Sequence, residues 1–203
     1  MTTTDTSQRT PLDTAATLTT ELLAPWVAIP AQGVLIALHS APHLHQALLW
    51  GGIATLTGAA IPMAFILAGA RLGHWANRHV PDRAHRRWPL LVCLASSTAG
   101  MLTLWAVQAP REMVVLVGCW AGALAVVNMV TAWAKWKISV HALTGFIAAA
   151  GLTVVYGASA AVAWPLAVAV AWSKVRIRHH TVGQVVVGGG VGVLSMAVFA
   201  LLK

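Results

Sequence analysis

The sequence predicts an all-α bundle of six or seven membrane-spanning helices. Of the 203 residues, 58% are hydrophobic and only 9% are charged, a composition too apolar for a soluble domain. The apolar residues also fall in runs of roughly 20, the length that an α-helix needs to cross the hydrocarbon core of a bilayer. Several of the ten tryptophans stand near the ends of these runs, as in an interfacial aromatic belt.

The polar N-terminus precedes the first apolar run. The first 17 residues, MTTTDTSQRTPLDTAAT, are Thr-rich and aperiodic, which predicts a disordered tail ahead of one membrane domain over residues 18–203. They lack the basic start and short apolar core of a cleaved signal peptide, so we expect Met1 to be retained. The predicted spans are residues 20–38, 47–70, 88–108, 112–134, 141–157, 159–173 and 181–202.

Some of these spans are less regular than the others. Pro25, Pro30 and Gln32 interrupt the first span, so a helix lying in the membrane interface is an alternative there. The fifth and sixth spans are short and meet near residues 157–159. The predicted number of membrane spans is therefore six or seven.

A glycine run marks the last span. Gly188, Gly189, Gly190 and Gly192 stand inside an apolar segment, where a phosphate-binding loop is not expected. Small residues let two helix backbones approach closely in a membrane. The run therefore predicts tight packing of the last helix against a neighbour.

The basic residues concentrate on one side of the predicted membrane. Thirteen Lys and Arg stand against five Asp and Glu, for a net charge of +8. With seven spans, all of these cations except Arg111 and Lys203 fall on the side that holds the N-terminus. The positive-inside rule makes that side cytoplasmic, most simply in a bacterial plasma membrane. Nucleic acid is not an expected partner, because the cations lie in short loops beside spans rather than on a soluble face.

Histidines gather on the same side, but a complete set of metal ligands does not. Zinc requires three or four converging ligands and magnesium requires carboxylates, whereas Asp82 is the only acid in these loops. On the opposite side, a metal site at His39, His43 and His45 is an alternative to a solvated loop, which we favour. We therefore expect no metal or cofactor. The histidines on the cationic side are His74, His79, His85, His141, His179 and His180.

A cationic, acid-poor site with histidines suits metal-independent chemistry on a phosphate. Arg and Lys bind phosphoryl oxygens and neutralise charge that develops in the transition state. One histidine can attack phosphorus and form a covalent intermediate. A second can protonate the leaving oxygen and then activate water.

Two short motifs carry a family resemblance. Residues 173–184, SKVRIRHHTVGQ, resemble the signature S-R-x5-H-x3-D of the type-2 phosphatidic acid phosphatase superfamily. Residues 137–141, KISVH, resemble the P-S-G-H signature of that superfamily and are similar to a K-I-S-x-H variant of actinobacterial and archaeal lipid phosphatases. The first signature, K-x6-R-P, is missing in strict form, and residues 82–89, DRAHRRWP, offer arginines before a proline in its place.

The resemblance implies a role for each matching residue. His180 would be the nucleophile and His141 the general acid, with His179 a bystander. Gln184 replaces the aspartate of the family, so it can orient His180 without supplying charge. Arg178 joins the set because it stands four residues after Lys174, on the same face of a continuing helix. The expected phosphate-binding residues are Lys174, Lys137, Ser139, Arg83, Arg86, Arg87 and Arg178.

The resemblance also implies a substrate, a lipid phosphate in the bilayer. Polyprenyl phosphate or diphosphate, phosphatidate and phosphatidylglycerophosphate all fit, and the K-I-S-x-H variant favours the isoprenoids. A lipid transporter is an alternative, although its cations would lie near mid-membrane on broken helices rather than at span ends. A non-catalytic protein that binds anionic lipid is another, and it would explain Gln184. The sequence predicts no oligomeric state.

Overall fold

The computed structural model describes residues 10–75 and 84–203, and this part of the chain is helical, without strands. The predicted all-α class is therefore confirmed. A π-helical turn at Leu56–Ala60 joins α3 to α4, and short 3-10 turns precede α5 and follow α7. The helices are α1 Pro11–Leu22, α2 Pro25–Ser40, α3 Leu44–Thr55, α4 Ile61–Arg71, α5 Arg87–Ala106, α6 Arg111–Trp133, α7 Val140–Tyr156, α8 Ala163–Arg176 and α9 Val182–Leu202.

Five helical segments in the described residues are long and apolar enough to cross a membrane. The pair α1 and α2, which bends by 45°, makes a sixth if it counts as one broken span. The described residues thus form a membrane protein with five or six candidate spans, and six is the lower of the two predicted numbers. The predicted span 159–173 corresponds to α8, whose 14 residues fall short of the usual spanning length. The contacts of α9 with α7 run in the same direction along both helices, so these helices are parallel and α8 returns the chain between them. The five segments are Leu44–Arg71, Arg87–Ala106, Arg111–Trp133, Val140–Ala160 and Val182–Leu202.

The prediction of a disordered tail over residues 1–17 is wrong for part of that range. Residues 11–17 form the first turns of α1, so the prediction is wrong for them, while residues 1–9 lie outside the described residues. Thr10 and Asp13 form a capping box that satisfies the exposed amides of the first turn. The Asp13 carboxylate also lies 2.9 Å from Nε of Arg176, which fixes α1 against the end of α8.

α2 lies in the core of the bundle, and the interfacial alternative is wrong for it. Gln32 is fully buried, and its Nε2 donates a hydrogen bond to the Ile147 carbonyl at 2.9 Å. Its Oε1 accepts a hydrogen bond from Nε1 of Trp120 at 3.1 Å. Gln32 thus weakens the hydropathy of α2 but joins this helix to α6 and α7. It can lie in the core because its hydrogen-bonding groups find partners inside the protein.

The glycine run packs α9 directly on the backbone of α7. A Cβ at Gly188 would lie 2.6 Å from the Ser139 carbonyl oxygen, and one at Gly192 would lie 2.6 Å from the Leu143 carbonyl oxygen. The predicted close packing is confirmed at these positions. Gly190 differs, because a Cβ there would meet nothing within 4 Å. This packing sets the first turn of α9 beside the first turn of α7.

Candidate active site

Three of the predicted site residues line one cavity of about 140 Å³. They are Arg86 at the start of α5, His141 in the first turn of α7, and His180 just before α9. The remaining lining is largely apolar and includes Met63 and Ile66 of α4. The cavity therefore joins a basic, histidine-containing end to an apolar interior between helices.

His180 sits at the turn between α8 and α9. The backbone amides of His179 and His180 both donate to the Lys174 carbonyl, at 3.1 and 3.2 Å, which closes the end of α8. Thr181 then begins α9 as its N-cap. The turn holds the His180 ring against the protein, with 9% of the residue exposed.

Gln184 orients the His180 ring. Its Oε1 lies 2.9 Å from Nδ1 of His180, the contact expected from the spacing of one helical turn. The Thr181 amide donates to the same oxygen at 3.3 Å, as part of the capping box of α9. Because an amide oxygen only accepts hydrogen bonds, Nδ1 must carry the proton in the neutral ring. Nε2 therefore keeps its lone pair.

The surroundings of His180 favour the neutral ring. Burial lowers the pKa of His180 to about 3, the Gln184 hydrogen bond opposes this shift, and the nearby cations add to it. These cations are Arg86, Lys137 and Lys174. At neutral pH the imidazole is uncharged, which is the state that a nucleophile requires.

Lys174 is a buried cation, with only 2% of the residue exposed. Burial lowers its pKa to about 8, Glu21 opposes the shift, and Arg86 and Lys137 increase it. Burial likewise lowers the pKa of Arg86 to about 10, and burial followed by repulsion from Arg86 lowers that of Lys137. Desolvated cations that repel one another make a strongly electropositive site, which an anion would stabilise.

Ser139 holds the two histidine-bearing turns together. Its backbone amide donates to the Gln184 carbonyl at 3.1 Å, which ties the start of α7 to the start of α9. Its hydroxyl accepts from the Ala142 amide at 3.4 Å and so caps α7. The resemblance implied a phosphate contact, but this fully buried side chain is engaged as a helix cap.

Other predicted phosphate ligands lie elsewhere. Arg87 lines a separate groove between α5 and α6, with its guanidinium 5.9 Å from the centre of the Trp88 ring. Arg178 is exposed and is not among the residues that line the cavity. The helical-spacing argument for Arg178 is wrong, because α8 ends at Arg176 and residue 178 has a left-handed φ of 56°. Arg83 lies outside the described residues.

The break between α1 and α2 contributes residues that sequence reasoning missed. Pro25 and Trp26 line the cavity, and the Trp26 ring meets His141 edge-on, with ring centroids 6.4 Å apart. Glu21, at the end of α1, is the acid that interacts with Lys174. Pro25 was the residue in the sequence that could have indicated this break. It interrupts the first predicted span, and in the structure it begins α2.

The described residues contain no group of three or more His, Cys, Asp or Glu that could hold a metal ion. The alternative site on the opposite side is not assembled. His43 and His45 stack on one another, with their ring centroids 5.6 Å apart. His39 packs against Tyr156 instead, with the two ring centroids 5.2 Å apart.

No family model matches this chain, and no curated protein or solved structure matches it either. The resemblance to the type-2 phosphatidic acid phosphatases thus rests on the motifs, and the roles that it implies belong to a proposal.

Proposed function

We propose that the protein is a membrane-embedded lipid phosphate phosphatase that works through a phosphohistidine at His180, without a metal. The observation that carries this proposal is the arrangement around His180. A neutral imidazole, oriented through Nδ1 by Gln184, shares a cavity with His141 and Arg86. Lys137 and Lys174 act on the same ring electrostatically.

In the first proposed step, the lone pair on Nε2 of His180 attacks the phosphorus of the substrate. The bond between phosphorus and the leaving oxygen breaks as the new P–N bond forms. Protonated His141 gives its proton to that oxygen, so that the lipid alcohol leaves from a phosphomonoester and the lipid monophosphate leaves from a diphosphate attacked at its terminal phosphorus. Gln184 accepts from Nδ1 throughout and stabilises the charge of the phosphorylated ring through its amide dipole.

In the second proposed step, His141 is neutral and takes a proton from water. The resulting hydroxide attacks phosphorus, the P–N bond breaks, and inorganic phosphate leaves. His180 returns to its neutral form, with the proton still on Nδ1. The covalent intermediate divides one difficult displacement into two easier ones.

The cations supply electrostatic stabilisation in this scheme. Arg86, Lys137 and Lys174 would bind the phosphoryl oxygens and neutralise the charge that grows on them in the transition state. They are already partly desolvated, so their solvation changes little during the reaction. Lys174, the most buried of them, also has the least freedom to move.

The cavity supports an amphiphilic substrate, a phosphomonoester or diphosphate of a polyprenyl or glycerolipid. Its basic end suits the phosphate, and its apolar lining by Met63, Ile66 and Cys93 suits the start of a hydrocarbon tail. The K-I-S-x-H motif favours an isoprenoid tail. The charge asymmetry of the loops supports a site at the cytoplasmic face of a bacterial plasma membrane.

A non-catalytic protein that binds anionic lipid is the second proposal, and Gln184 is the observation that favours it. An amide orients the His180 ring as well as a carboxylate does, but it carries no negative charge to stabilise an imidazolium. A binding protein would need the cations and not the nucleophile.

The test is phosphate release by purified protein in detergent with EDTA, from polyprenyl phosphate, polyprenyl diphosphate and phosphatidate. We expect His180→Ala to reduce release by at least about a thousandfold, because the nucleophile is removed. His141→Ala should cost about 10²–10⁴-fold, the range for loss of a general acid–base group.

His179→Ala is the matched control, because His179 is the neighbouring residue, is exposed, and does not line the cavity. It should retain activity within about twofold, as exposed substitutions usually do. Loss of release on chelation would overturn metal independence. Protein that binds these lipids equally well with and without His180, and releases no phosphate, would establish the binding protein instead.

A further inference from the structure

A second groove lies at the cationic side of the membrane, and the proposed chemistry does not use it. It has a volume of about 510 Å³ and runs between α5 and α6. Arg87, the first residue of α5, and Lys135, two residues after the end of α6, both line it. The proposed nucleophile and general acid line the other cavity. The two sites meet at Leu90, which lines both.

The floor of the groove is fixed by a hydrogen bond between helices. Nδ2 of Asn128 on α6 donates to the Leu90 carbonyl on α5 at 3.2 Å and to the Leu124 carbonyl at 2.9 Å. This bond holds α5 and α6 in register at the point where the groove is lined. The groove is therefore a built feature of the helix pair rather than a gap between mobile segments.

Its walls are apolar and exposed. Leu91, Met129 and Trp133 line it, and Trp133 is 80% exposed at the last residue of α6. A tryptophan at the end of a spanning helix belongs at headgroup level, where its ring contacts acyl chains and its N–H contacts water. Acyl chains of the bilayer are the natural occupants of such walls.

Its rim is positively charged. Arg87 and Lys135 are both exposed, and none of the acids that the structure describes, Asp13, Glu21 and Glu112, lines the groove. Lys135 adopts a left-handed φ of 49°, so the chain turns sharply after α6 and stays at the rim. Two cations above an apolar slot match the charge and shape of an anionic phospholipid.

We propose that this groove binds the headgroup of an anionic glycerophospholipid from the surrounding leaflet, which is not the substrate proposed for the histidine cavity. Arg87 and Lys135 hold the phosphodiester, and the acyl chains lie along Leu91 and Met129. The lipid occupies a site separate from the histidine cavity, so this proposal stands whether or not the protein is a phosphatase.

The experiment is a titration of delipidated protein in detergent with phosphatidylglycerol or phosphatidylcholine, with bound lipid counted by native mass spectrometry. We expect wild-type protein to bind phosphatidylglycerol more tightly than phosphatidylcholine. The double variant Arg87→Gln/Lys135→Gln should bind phosphatidylglycerol about 25-fold more weakly, roughly fivefold for each juxtamembrane cation removed. Its affinity for phosphatidylcholine should not change.

Two further variants make the test specific. Arg71→Gln/Arg178→Gln removes two exposed cations that line neither site, and it should keep wild-type affinity. An equal loss in that control would show only diffuse surface charge and would overturn the proposal. So would a loss confined to Arg86→Gln, which would place the lipid in the histidine cavity. Unchanged unfolding temperatures in detergent would show that all variants are folded.

Discussion

The glycine contact between α7 and α9 predicts that one methyl group will disable the site. The Ala substitution Gly188→Ala places a Cβ 2.6 Å from the Ser139 carbonyl oxygen, where ordinary contact begins at 3.4 Å. The obstacle is backbone and cannot rotate away, so α9 must move several tenths of an ångström from α7. That movement strains the hydrogen bond from the Ser139 amide to the Gln184 carbonyl.

The expected magnitude follows from two opposing terms. Overpacking of a tight contact costs about 1–3 kcal/mol. Replacing glycine by alanine within a helix recovers about 0.5–1 kcal/mol of that. The net loss of unfolding free energy is therefore about 0–2.5 kcal/mol, with a central value of about 1.3 kcal/mol, which lowers the unfolding temperature by about 3–5 °C at that central value in a chain of this size.

Activity should fall more than stability does. Gly188 contacts the turn that carries His141, and the shift separates this turn from the one that carries His180. A misplacement near 1 Å costs catalysis up to about 10²-fold, so we expect a loss of about 10- to 100-fold in phosphate release.

Gly190→Ala is the matched control, because its Cβ meets nothing within 4 Å on the same helix. The assays are thermal unfolding in detergent and phosphate release by the two variants in parallel. Gly190→Ala should keep wild-type activity and unfold at or slightly above the wild-type temperature. Indistinguishable stability and activity for the two variants would refute the argument that the α7–α9 contact positions the histidines.

Three other predictions concern buried or partly buried polar residues. Phosphate release, measured as kcat/KM, should lose one component as pH rises through about 8, because neutral Lys174 no longer binds phosphate. Lys174→Arg should abolish this component and leave the pH dependence that comes from the general acid. Gln184→Leu should lower kcat about 10- to 100-fold through loss of the hydrogen bond to the charged His180 ring, whereas Gln184→Glu should retain that bond and raise the pKa of His180. Gln32→Leu should cost about 1–3 kcal/mol in unfolding free energy by leaving buried partners unsatisfied. Gln46→Leu removes a buried oxygen that has no hydrogen-bond partner among the residues that the structure describes, and it should be neutral in the same measurement.

The sequence predicted the spans that are uniformly apolar and misjudged those that carry polar residues. The last helix was placed within a residue of α9, because nothing interrupts its hydropathy. The burial of α2 was underestimated because Gln32 lowers the hydropathy of this segment. The hydrogen bonds of Gln32 within the bundle make that burial possible. α1 was missed because this 12-residue, Thr-rich helix is too short and too polar to give a spanning hydropathy signal, and a cap and an ion pair to Arg176 stabilise it.

The site was predictable where its residues are close in sequence. The hydrogen bond between His180 and Gln184 follows from one helical turn at the start of α9. The spacing of residues could not show which of Arg86 and Arg87 belongs to the site. Neighbouring residues on a helix point about 100° apart, and only tertiary packing decides that Arg86 faces the cavity while Arg87 faces the other groove. The burial of Lys174 was equally hidden, since it depends on contacts between α1 and α8.

The phosphohistidine at His180 is tested most directly by trapping it during turnover of a ³²P-labelled lipid phosphate. The reaction is quenched with alkali, and the protein-bound phosphate is mapped by mass spectrometry. A phosphohistidine mechanism requires an alkali-stable, acid-labile phosphoryl group on His180, absent from His180→Ala and present in His179→Ala. Phosphate on another residue, or continued release of phosphate by His180→Ala, would contradict it.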